Sequence, residues 1–493
     1  MKTIQTILVV GLLLVSGRSA GAGERPNIIV FLMDDMGYGD CRAYNLDGRV
    51  ELPNMEKLAK EGMLFTDAHS PSAVCAPTRY SLLTGNYPWR GRNENGTWAF
   101  NHPSQILPGQ ETLAHVLKRS GYHTAFFGKV HLGGRVYSKT TGEPLEGWKI
   151  DHTDIDFSRP IGQGPAEQGF DYSYSLPNGI QGKPYAFFEN GLLVGDPDKL
   201  KIWKKGTYGD SAVKATGFGA TDWDSSQVGP ILTEKALIFL DQHFAENKDE
   251  PFYMHYCSQA CHTPHTPPDE LAGVPIKGAS GIDPKLDILF EADVTLGLII
   301  EKLREAGELE NTLIIFTSDN GGLIWGEARK QGHRSCGPLR GAKSLIWEGG
   351  HRVPFIARWG KRIQPGSRTD ALIGLQDIYA TLSELTEQEL DPAQGLDSRS
   401  FLSVLNGEAK TSPRRTLFVQ ANEENVDGQR LMKMVRDGDW KLITTRNLKP
   451  VELYNLKTDL AEENNLINHP EQQGRIERMR NELERIMNSK RST

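Results

Sequence analysis

The sequence predicts an α/β fold in which helices flank a mostly parallel central sheet. Short apolar runs alternate along the chain with longer helical patterns, which is typical of a parallel sheet with crossover helices. The predicted buried strands cover residues 27–33, 123–127, 251–256 and 312–317. The predicted helices cover residues 52–61, 111–119 and 286–304. Residues 137–229 are rich in glycine, aspartate and aromatic residues, and we expect them to form long loops over the active face.

The pattern changes beyond about residue 410 and predicts a small α+β subdomain with an antiparallel sheet. Three strands are expected there, at residues 416–420, 431–436 and 440–445, and Asp437 and Gly438 indicate a hairpin turn between the last two. A charged helix is predicted from Pro470 to the end of the chain. The expected division is therefore a large α/β domain at 23–410 and a C-terminal subdomain at 411–493.

The first residues have the pattern of a secretory signal peptide. Lys2 provides a positive start, an apolar run covers residues 7–15, and the small residues 20–22 fit a cleavage site. That run is too short for a comfortable transmembrane anchor, and no later stretch is apolar enough to span a bilayer. We expect cleavage after about residue 22 and an exported, periplasmic, extracellular or lumenal protein. A net charge of -7 argues against a nucleic-acid partner, and no pattern indicates an oligomeric state.

Oxygen-bearing side chains follow two of the predicted strands. Asp34 and Asp35 come directly after the first strand, and Asp319 and Asn320 follow the fourth. In open α/β sheets, ligands bind outside the carboxyl ends of the strands. Carboxylates packed together there would repel each other unless a cation lay between them. Flexible oxygen ligation favours Ca²⁺ over Mg²⁺, although each pair taken alone could be an ordinary turn.

Cys75 is predicted to open a helix that ends near Gly85. Pro77 lies just inside this helix, and Arg79 lies four residues after Cys75, on the same helical face. A helix N-terminus favours a bound anion. The residues alone leave two further interpretations open: a thiol with a lowered pKa beside Arg79, or a structural cysteine.

The pattern Cys75-x-Pro77-x-Arg79, followed by Leu83-Thr84-Gly85, resembles the signature of the type I sulfatases, the arylsulfatase-like, formylglycine-dependent family of the alkaline-phosphatase superfamily. Further segments resemble other motifs of that family in the same order. These segments are residues 27–30 with 34–40, 128–133, 318–322, 341–343 with 348–354, and 452–456.

The resemblance implies a sulfuric ester hydrolase with an alkaline-phosphatase-like catalytic domain at 23–410. A formylglycine-generating enzyme would convert Cys75 to formylglycine (3-oxoalanine), and the substrate would be a sulfated carbohydrate or an aryl sulfate. The implied Ca²⁺ ligands are Asp34, Asp35, Asp319, Asn320 and the residue made from Cys75. The implied catalytic residues are Cys75, Arg79, Lys129, His131, His262 and Lys343. Of these, Lys129, His262 and Lys343 would also bind substrate, as would His265 if it is more than a loop residue.

A cationic site suits a sulfate ester, which is an anion. Lys129 and His131 would share a face if the strand predicted at residues 123–127 continued through both. Taken alone, however, His131 would be interpreted as a packed histidine and Lys343 as a surface charge. In the implied mechanism the hydrated aldehyde at position 75 attacks sulfur with one hydroxyl, aided by Asp319. His262, alone or together with Lys343, protonates the departing alcohol, and His131 deprotonates the second hydroxyl so that sulfate leaves.

The five cysteines leave several alternatives open. If Cys75 is modified, the other four could form two disulfides in three possible pairings or stay reduced. These four are Cys41, Cys257, Cys261 and Cys336. Zinc ligation by Cys257, Cys261, His262 and His265 would be cramped, because four ligands would lie within nine residues.

Two other functions compete with the sulfatase prediction. One is hydrolysis of phosphate mono- or diesters by a relative from the same superfamily, and the other is an inactive carbohydrate-binding homologue. Aromatic side chains that could contact a sugar are Trp98, Trp203, Trp223 and Trp325, although each could equally be a core residue. Residues 95–97 form a glycosylation sequon.

Overall fold

Within the described residues, the central layer of the protein is a ten-stranded sheet. The computed structural model describes residues 25–94, 100–147, 150–421 and 432–489. In chain order the strands are β1 (Asn27–Met33), β2 (Met63–Phe65), β3 (His123–Lys129), β4 (Tyr172–Leu176), β5 (Phe188–Glu189), β6 (Leu192–Leu193), β7 (Phe252–Cys257), β8 (Thr312–Ser318), β9 (Phe355–Arg358) and β10 (Ser367–Thr369). Their spatial order is β10-β2-β9-β8-β1-β7-β3-β4-β5-β6. The strands β8, β1, β7, β3 and β4 are all parallel, which confirms the predicted fold class.

Helices cover both faces of this sheet. On one face lie α1 (Pro53–Glu61), α4 (Val228–Glu246) and α5 (Pro284–Glu305), and on the other lie α2 (Cys75–Thr84), α3 (Leu113–Arg119) and α8 (Asp377–Leu385). The other helices of the described residues are α6 (Glu327–Lys330), α7 (Glu348–His351), α9 (Leu402–Leu405) and α10 (Gln473–Asn488). Short 3₁₀ helices lie at Pro88–Arg90, His152–Asp154, Pro197–Lys199, Ser225–Gln227 and Pro470–Gln472. Thr112 and Asp283 cap α3 and α5, because each side chain accepts a backbone N–H of the first turn. The predicted helices at 52–61, 111–119 and 286–304 are therefore confirmed with boundaries shifted by one or two residues.

The strand β1 separates two apolar cores. Its residues Ile29, Phe31 and Met33 pack on the side of α1, α4 and α5. The alternate residues Ile28, Val30 and Leu32 pack on the side of α2, α3 and α8. Every residue of β1 is buried, which explains why its sequence after Asn27 is continuously apolar rather than alternating.

Residues 137–229 are not simply long loops, and that expectation was wrong in part. The strand β4 extends the parallel part of the sheet, and β5 and β6 continue it as a hairpin. Three further short pairs form nearby: Val136–Tyr137 with Pro144–Leu145, Lys201–Trp203 with Gly217–Gly219, and Gly206–Tyr208 with Ser211–Val213. Sequence patterning missed β4 because Ser173 and Ser175 interrupt its apolar residues, although both serines are buried.

The C-terminal residues form a four-stranded antiparallel sheet in the order β11 (Thr416–Gln420), β12 (Lys433–Asp437), β13 (Trp440–Thr444) and β14 (Pro450–Asn455). The helix α10 packs on it through Ile476, Met479 and Leu483. The predicted strands and helix are present, whereas β14 was not predicted as a strand. The turn between β12 and β13 consists of residues 438 and 439, one residue later than predicted.

Two further short strand pairs lie outside both sheets. They join Ala68–His69 to Ile373–Gly374 and Glu270–Leu271 to Val274–Pro275.

Some predictions fall on residues outside the described ranges, namely the signal peptide at 1–22, the sequon at 95–97, Trp98 and the predicted strand residue Leu431. No helix in the described part of the chain is both long enough and apolar enough to cross a bilayer. All five cysteines are buried, free thiols, so no predicted disulfide pairing is formed.

A buried ionic network joins the C-terminal sheet to the large domain. Lys441 on β13 lies 3.0 Å from Glu348 Oε1 and 2.8 Å from Glu462 Oε1. Its Nζ also lies 3.1 Å from His351 Nε2. Burial alone would raise the pKa of Glu348, but Lys441 and the surrounding basic groups hold it well below the usual range. The Lys441 amine therefore compensates acidic groups that come from two different parts of the chain.

We expect Lys441→Met to destabilise the protein strongly, because it leaves Glu348 and Glu462 buried without their shared cation. Removing one partner of a buried ion pair costs about 3–5 kcal/mol. Chemical denaturation of wild type and variant measures this difference. The control is Lys449→Met on the exposed surface, which we expect to change stability by less than about 0.5 kcal/mol. Equal stability of the two variants would contradict the role given to Lys441.

Candidate functional site

The carboxyl ends of β1 and β8 bring four oxygen-bearing side chains together. The two strands are parallel neighbours whose last pair in register is Met33 and Ser318. The residues that follow them, Asp34 and Asp35 after β1 and Asp319 and Asn320 after β8, are therefore adjacent and are all buried. Asn320 Nδ2 donates to Asp35 Oδ1 at 2.9 Å, and Asp35 N donates to Asp319 Oδ1 at 3.2 Å.

Consecutive aspartates on an extended strand would point to opposite faces. Asp35 instead adopts a φ of 69°, which is uncommon for a residue other than glycine. The chain turns there, and both side chains contact cations of the same site, Lys129 in the case of Asp34 and Lys343 in the case of Asp35. The local backbone conformation thus brings two carboxylates to one position.

Each carboxylate of the cluster faces a buried or nearly buried cation. Lys129 Nζ lies 2.8 Å from Asp34 Oδ2, and Lys343 Nζ lies 2.7 Å from Asp35 Oδ2. Arg79 donates to Asp319 Oδ2 from Nη2 at 2.6 Å and from Nε at 3.0 Å. Burial opposes ionisation of Asp34 and Asp35, but the nearby cations lower the pKa of both carboxyls.

Asp319 differs from the other two aspartates. Its burial, together with the neighbouring Asp34 carboxylate, raises its pKa to about 7, against the lowering effect of Arg79. A third buried carboxylate is thus difficult to ionise when only protein groups surround it.

Cys75 is the first residue of α2, as predicted. Its Sγ lies 3.5 Å from His131 Nδ1. Potential ligand atoms of Cys75, Asp34 and Asp319 all lie within 4.8 Å of one another. Burial raises the pKa of the Cys75 thiol despite the lowering influence of Lys129 and Lys343, which argues against the alternative of a low-pKa thiol.

Lys129 and His131 both reach the site, but not along one continuous strand. The strand β3 ends at Lys129, and His131 has a φ of 54°. The strand does not continue through both residues, so the condition for a shared strand face is not met. Gly128 permits the close approach of β7, because a Cβ at this position would lie 1.9 Å from Cys257 O. After the turn, His131 N donates to Pro177 O, which lies just beyond β4.

The two histidines after β7 occupy different positions. His262 Nδ1 lies 2.8 Å from Thr263 O, and its Nε2 lies 3.8 Å from Asp35 Oδ2. His265 Nε2 lies 3.2 Å from Cys261 O. Burial lowers the pKa of each ring to about 4. Among the described residues, His262 and His265 do not cluster with Cys257 and Cys261, so the zinc alternative is not formed.

The tryptophans considered as possible sugar contacts differ in their exposure to solvent. Trp203 and Trp223 are only 7% and 5% exposed and belong to the core, so of the two alternatives left open for them the core position is the one observed. Trp325 is 57% exposed and follows Asn320 by five residues, so it remains a candidate sugar contact.

A second group of possible ligands consists of His69, Glu348 and His351. It lies in the ionic network that joins the C-terminal sheet to the large domain. The Lys441 amine already contacts Glu348 and His351 there, and Arg352 Nη1 lies 3.1 Å from Glu348 Oε2. Protein cations thus occupy the position that a metal ion would need.

Comparisons with known proteins agree with this geometry. A family model described as Sulfatase matches residues 26–388. A second model, described as N-sulphoglucosamine sulphohydrolase, C-terminal, matches residues 342–489. The N-acetylgalactosamine-6-O-sulfatase of Bacteroides thetaiotaomicron is 32% identical, with 91% of each chain covered. The steryl-sulfatase of Mus musculus is 29% identical and covers 82% of this chain and 69% of its own.

Solved structures show the same similarity. One, from a study titled as the metabolism of multiple glycosaminoglycans by Bacteroides thetaiotaomicron, has a TM-score of 0.78 and 29% identity. It covers 94% of this chain and 100% of that chain. A carbohydrate complex, Ps i-CgsB with k-i-k-neocarrahexaose, shares the fold with a TM-score of 0.69, 22% identity and coverage of 95% and 94%.

The family model covers most of the chain, the Bacteroides relative matches nearly all of it, and the sequence motifs agree with both. The chain belongs to the sulfatase family and is a sulfatase.

Proposed function

We propose that this sulfatase removes sulfate from a sulfated carbohydrate, with a formylglycine made from Cys75 as nucleophile and Ca²⁺ as cofactor. The observation that carries the proposal is the position of Cys75, at the start of α2 and in one cluster with Asp34 and Asp319. Buried cations surround this cluster, as the binding of an anionic ester requires.

The proposed Ca²⁺ ligands are Asp34, Asp35, Asp319, Asn320 and residue 75. Two buried oxygens of this set, Asp34 Oδ1 and Asn320 Oδ1, have no hydrogen-bond partner among the described residues. Buried oxygens seldom lack partners, and an all-oxygen set suits a hard cation such as Ca²⁺. The cation would supply charge stabilisation at the reacting oxygen atoms. It would also allow Asp319 to ionise.

Residue 75 would act in its modified form, produced by a formylglycine-generating enzyme. As the aldehyde hydrate it supplies one hydroxyl to attack sulfur and a second whose deprotonation releases sulfate. His131 Nδ1 lies near the Cys75 side chain and is the group placed to accept that proton. Burial, Lys129 and Arg79 lower the pKa of His131, so the neutral ring is available as a base.

The leaving alcohol would be protonated on the side of His262 and Lys343. The pKa of His262 is lowered to about 4 by burial, so the resting ring is neutral. Because His262 Nδ1 faces the acceptor Thr263 O, the neutral ring carries its proton on Nδ1. Its unprotonated Nε2 then lies on the side of Asp35. A substrate anion would favour protonation of Nε2. Lys343 is the alternative donor, because its amine faces the same carboxylate.

The names of the relatives support a proposal for the substrate. Several are named N-acetylgalactosamine-6-sulfatases, and that ester is the proposed substrate. Export by the predicted signal peptide would place the enzyme where such sugars are found. The rival phosphate esterase receives no support from the comparisons, and an inactive homologue would not need the acidic and basic groups retained around Cys75.

Ca²⁺ added to protein from which a chelator has removed bound metal should raise its stability, because the ion would bind the ligand cluster of the folded state and not the unfolded chain. At a hundred times its Kd, a ligand adds about 2.7 kcal/mol. Thermal unfolding in the presence of Ca²⁺ or Mg²⁺ measures this gain in the free energy of unfolding, and we expect a larger gain with Ca²⁺ than with Mg²⁺. Asp34→Asn should reduce it, whereas Asp269→Asn, on an exposed carboxylate, should leave it unchanged. An equal Ca²⁺ increment in both variants would overturn the ligand assignment.

Cys75→Ser should lower turnover of an aryl sulfate by about 10³-fold or more, because it lacks the second hydroxyl that releases sulfate. Steady-state assays against wild type measure this, and a Cys336→Ser variant is the matched control that keeps its turnover. The same assays with an aryl phosphate test the rival function. Multiple turnover by Cys75→Ser at the wild-type rate, or a preference of wild type for the phosphate, would refute the proposal.

A further inference from the structure

A cavity of about 360 Å³ lies in the segment between the proposed Ca²⁺ ligand Asn320 and the proposed proton donor Lys343. Its volume falls in the range of about 300–1,000 Å³ that is usual for ligand pockets. All of the side chains that line it belong to residues 324–341. None of them has a role in the proposed catalytic steps.

The buried wall of this cavity packs against the loops that carry the catalytic cluster. Ser335 O accepts the backbone N–H of Gly39 at 2.7 Å. Gly37 and Gly322 approach Ser335 so closely that a Cβ on either glycine would overlap it, and a Cβ on Gly322 would lie 2.7 Å from Ser335 Cβ. Gly322 O in turn accepts the backbone N–H of Lys343 at 3.0 Å. A single layer of backbone therefore separates the cavity from the cluster.

The rim of the cavity is also close to the cluster along the chain. Gly341 lines the cavity, and the amine of Lys343, two residues later, lies 2.7 Å from Asp35 Oδ2. Two residues span at most about 7 Å even when the chain is fully extended. A sugar chain whose cleaved sulfate lies beside Lys343 would therefore bring a neighbouring sugar unit to the cavity.

Buried polar groups hold the wall of the cavity in place. Lys285, in the first turn of α5, donates from Nζ to Ser335 Oγ. His333 Nε2 lies 2.7 Å from Asp40 Oδ1, and His333 Nδ1 accepts the backbone N–H of Arg49 at 3.3 Å. The side chains of Lys285, His333 and Asp40 are all buried. The wall is thus formed before any ligand binds, which lowers the entropic cost of binding.

The cavity has positive charge without a matching acid. Arg329 and Arg334 line it, and none of the described residues that line it is an aspartate or glutamate. Arg329 Nη1 donates to Ile324 O at 2.9 Å, which orders that guanidinium. Arg334 is exposed, and no hydrogen bond or ion pair joins its side chain to another described residue. Its planar guanidinium is free to form paired hydrogen bonds with an anion.

The other parts of the wall suit a sugar ring. Ile324 and Leu339 contribute apolar surface to the cavity. Trp325, which is 57% exposed, directly follows Ile324 in the chain. A sugar has apolar ring faces and polar edges, so a cavity that combines apolar surface with a few polar groups can bind it.

We propose that this cavity is a subsite for a sugar unit next to the one whose sulfate is cleaved. Arg334 pairs there with an anionic group of that unit, a carboxylate or a sulfate. The inference rests on the proposed function and extends its substrate from a single sulfated sugar to a charged oligosaccharide. The enzyme would bind such an oligosaccharide more tightly than the corresponding monosaccharide.

The test compares Arg334→Met with wild type on three probes: N-acetylgalactosamine 6-sulfate, a disaccharide that joins a uronate to this sugar, and a disaccharide that joins a sulfated hexose to it. For at least one disaccharide we expect KM to rise about three- to tenfold with kcat unchanged. For the monosaccharide KM should stay constant. Arg334→Lys should recover part of the affinity, because it keeps the charge without the planar fork. The disaccharide that responds identifies the anion as carboxylate or sulfate.

The matched control is Arg478→Met, since Arg478 is an exposed arginine on α10. It should leave KM unchanged for every probe. Dissociation constants measured with Ca²⁺ in a Cys75→Ala background test the subsite independently of turnover. Absence of turnover by wild type on all probes would count against the proposed function, whereas these constants would still decide on the cavity. Equal weakening of all three probes by Arg334→Met, or unchanged binding of both disaccharides, would overturn the subsite.

Discussion

The site depends on the mutual compensation of three buried carboxylates and three cations at one edge of the sheet. Burial of any one of these charges alone would cost several kcal/mol. Each is tolerated because an opposite charge lies within hydrogen-bonding distance: Arg79 at Asp319, Lys129 at Asp34 and Lys343 at Asp35. The three cations come from α2, from the end of β3 and from the segment before α7. The network can form only when these distant parts of the chain are assembled.

The same arrangement relates the fold to the chemistry. The parallel register of β1 and β8 places the two acidic pairs side by side, and the left-handed conformations of Asp35 and His131 turn their side chains into the site. Unusual backbone conformations are common at functional sites, where the surrounding structure must enforce them. Here the sheet and its hydrogen bonds enforce them. Chemistry that needs an exact placement of charge thus takes place on a rigid part of the protein.

The local sequence predicted those parts of the fold that have a local signal. The apolar runs at residues 28–33 in β1 and 313–316 in β8, and the polar residues after these strands, could be identified because a buried parallel strand leaves an unbroken apolar run. The strand β4 could not, since its buried serines look like surface positions. The contact of Cys75 with His131 and the burial of Trp203 and Trp223 depend on residues far apart in the chain. No local pattern contains that information.

The central claim is that the side chain of residue 75 is an aldehyde in the active enzyme. Mass analysis of the peptide that contains residue 75, taken from purified protein with measured turnover, tests it most directly. The account predicts a peptide that has lost its sulfur and reacts with an aldehyde-specific hydrazine, while the peptide that contains Cys336 keeps its thiol. An intact thiol at position 75 in fully active protein would contradict the account.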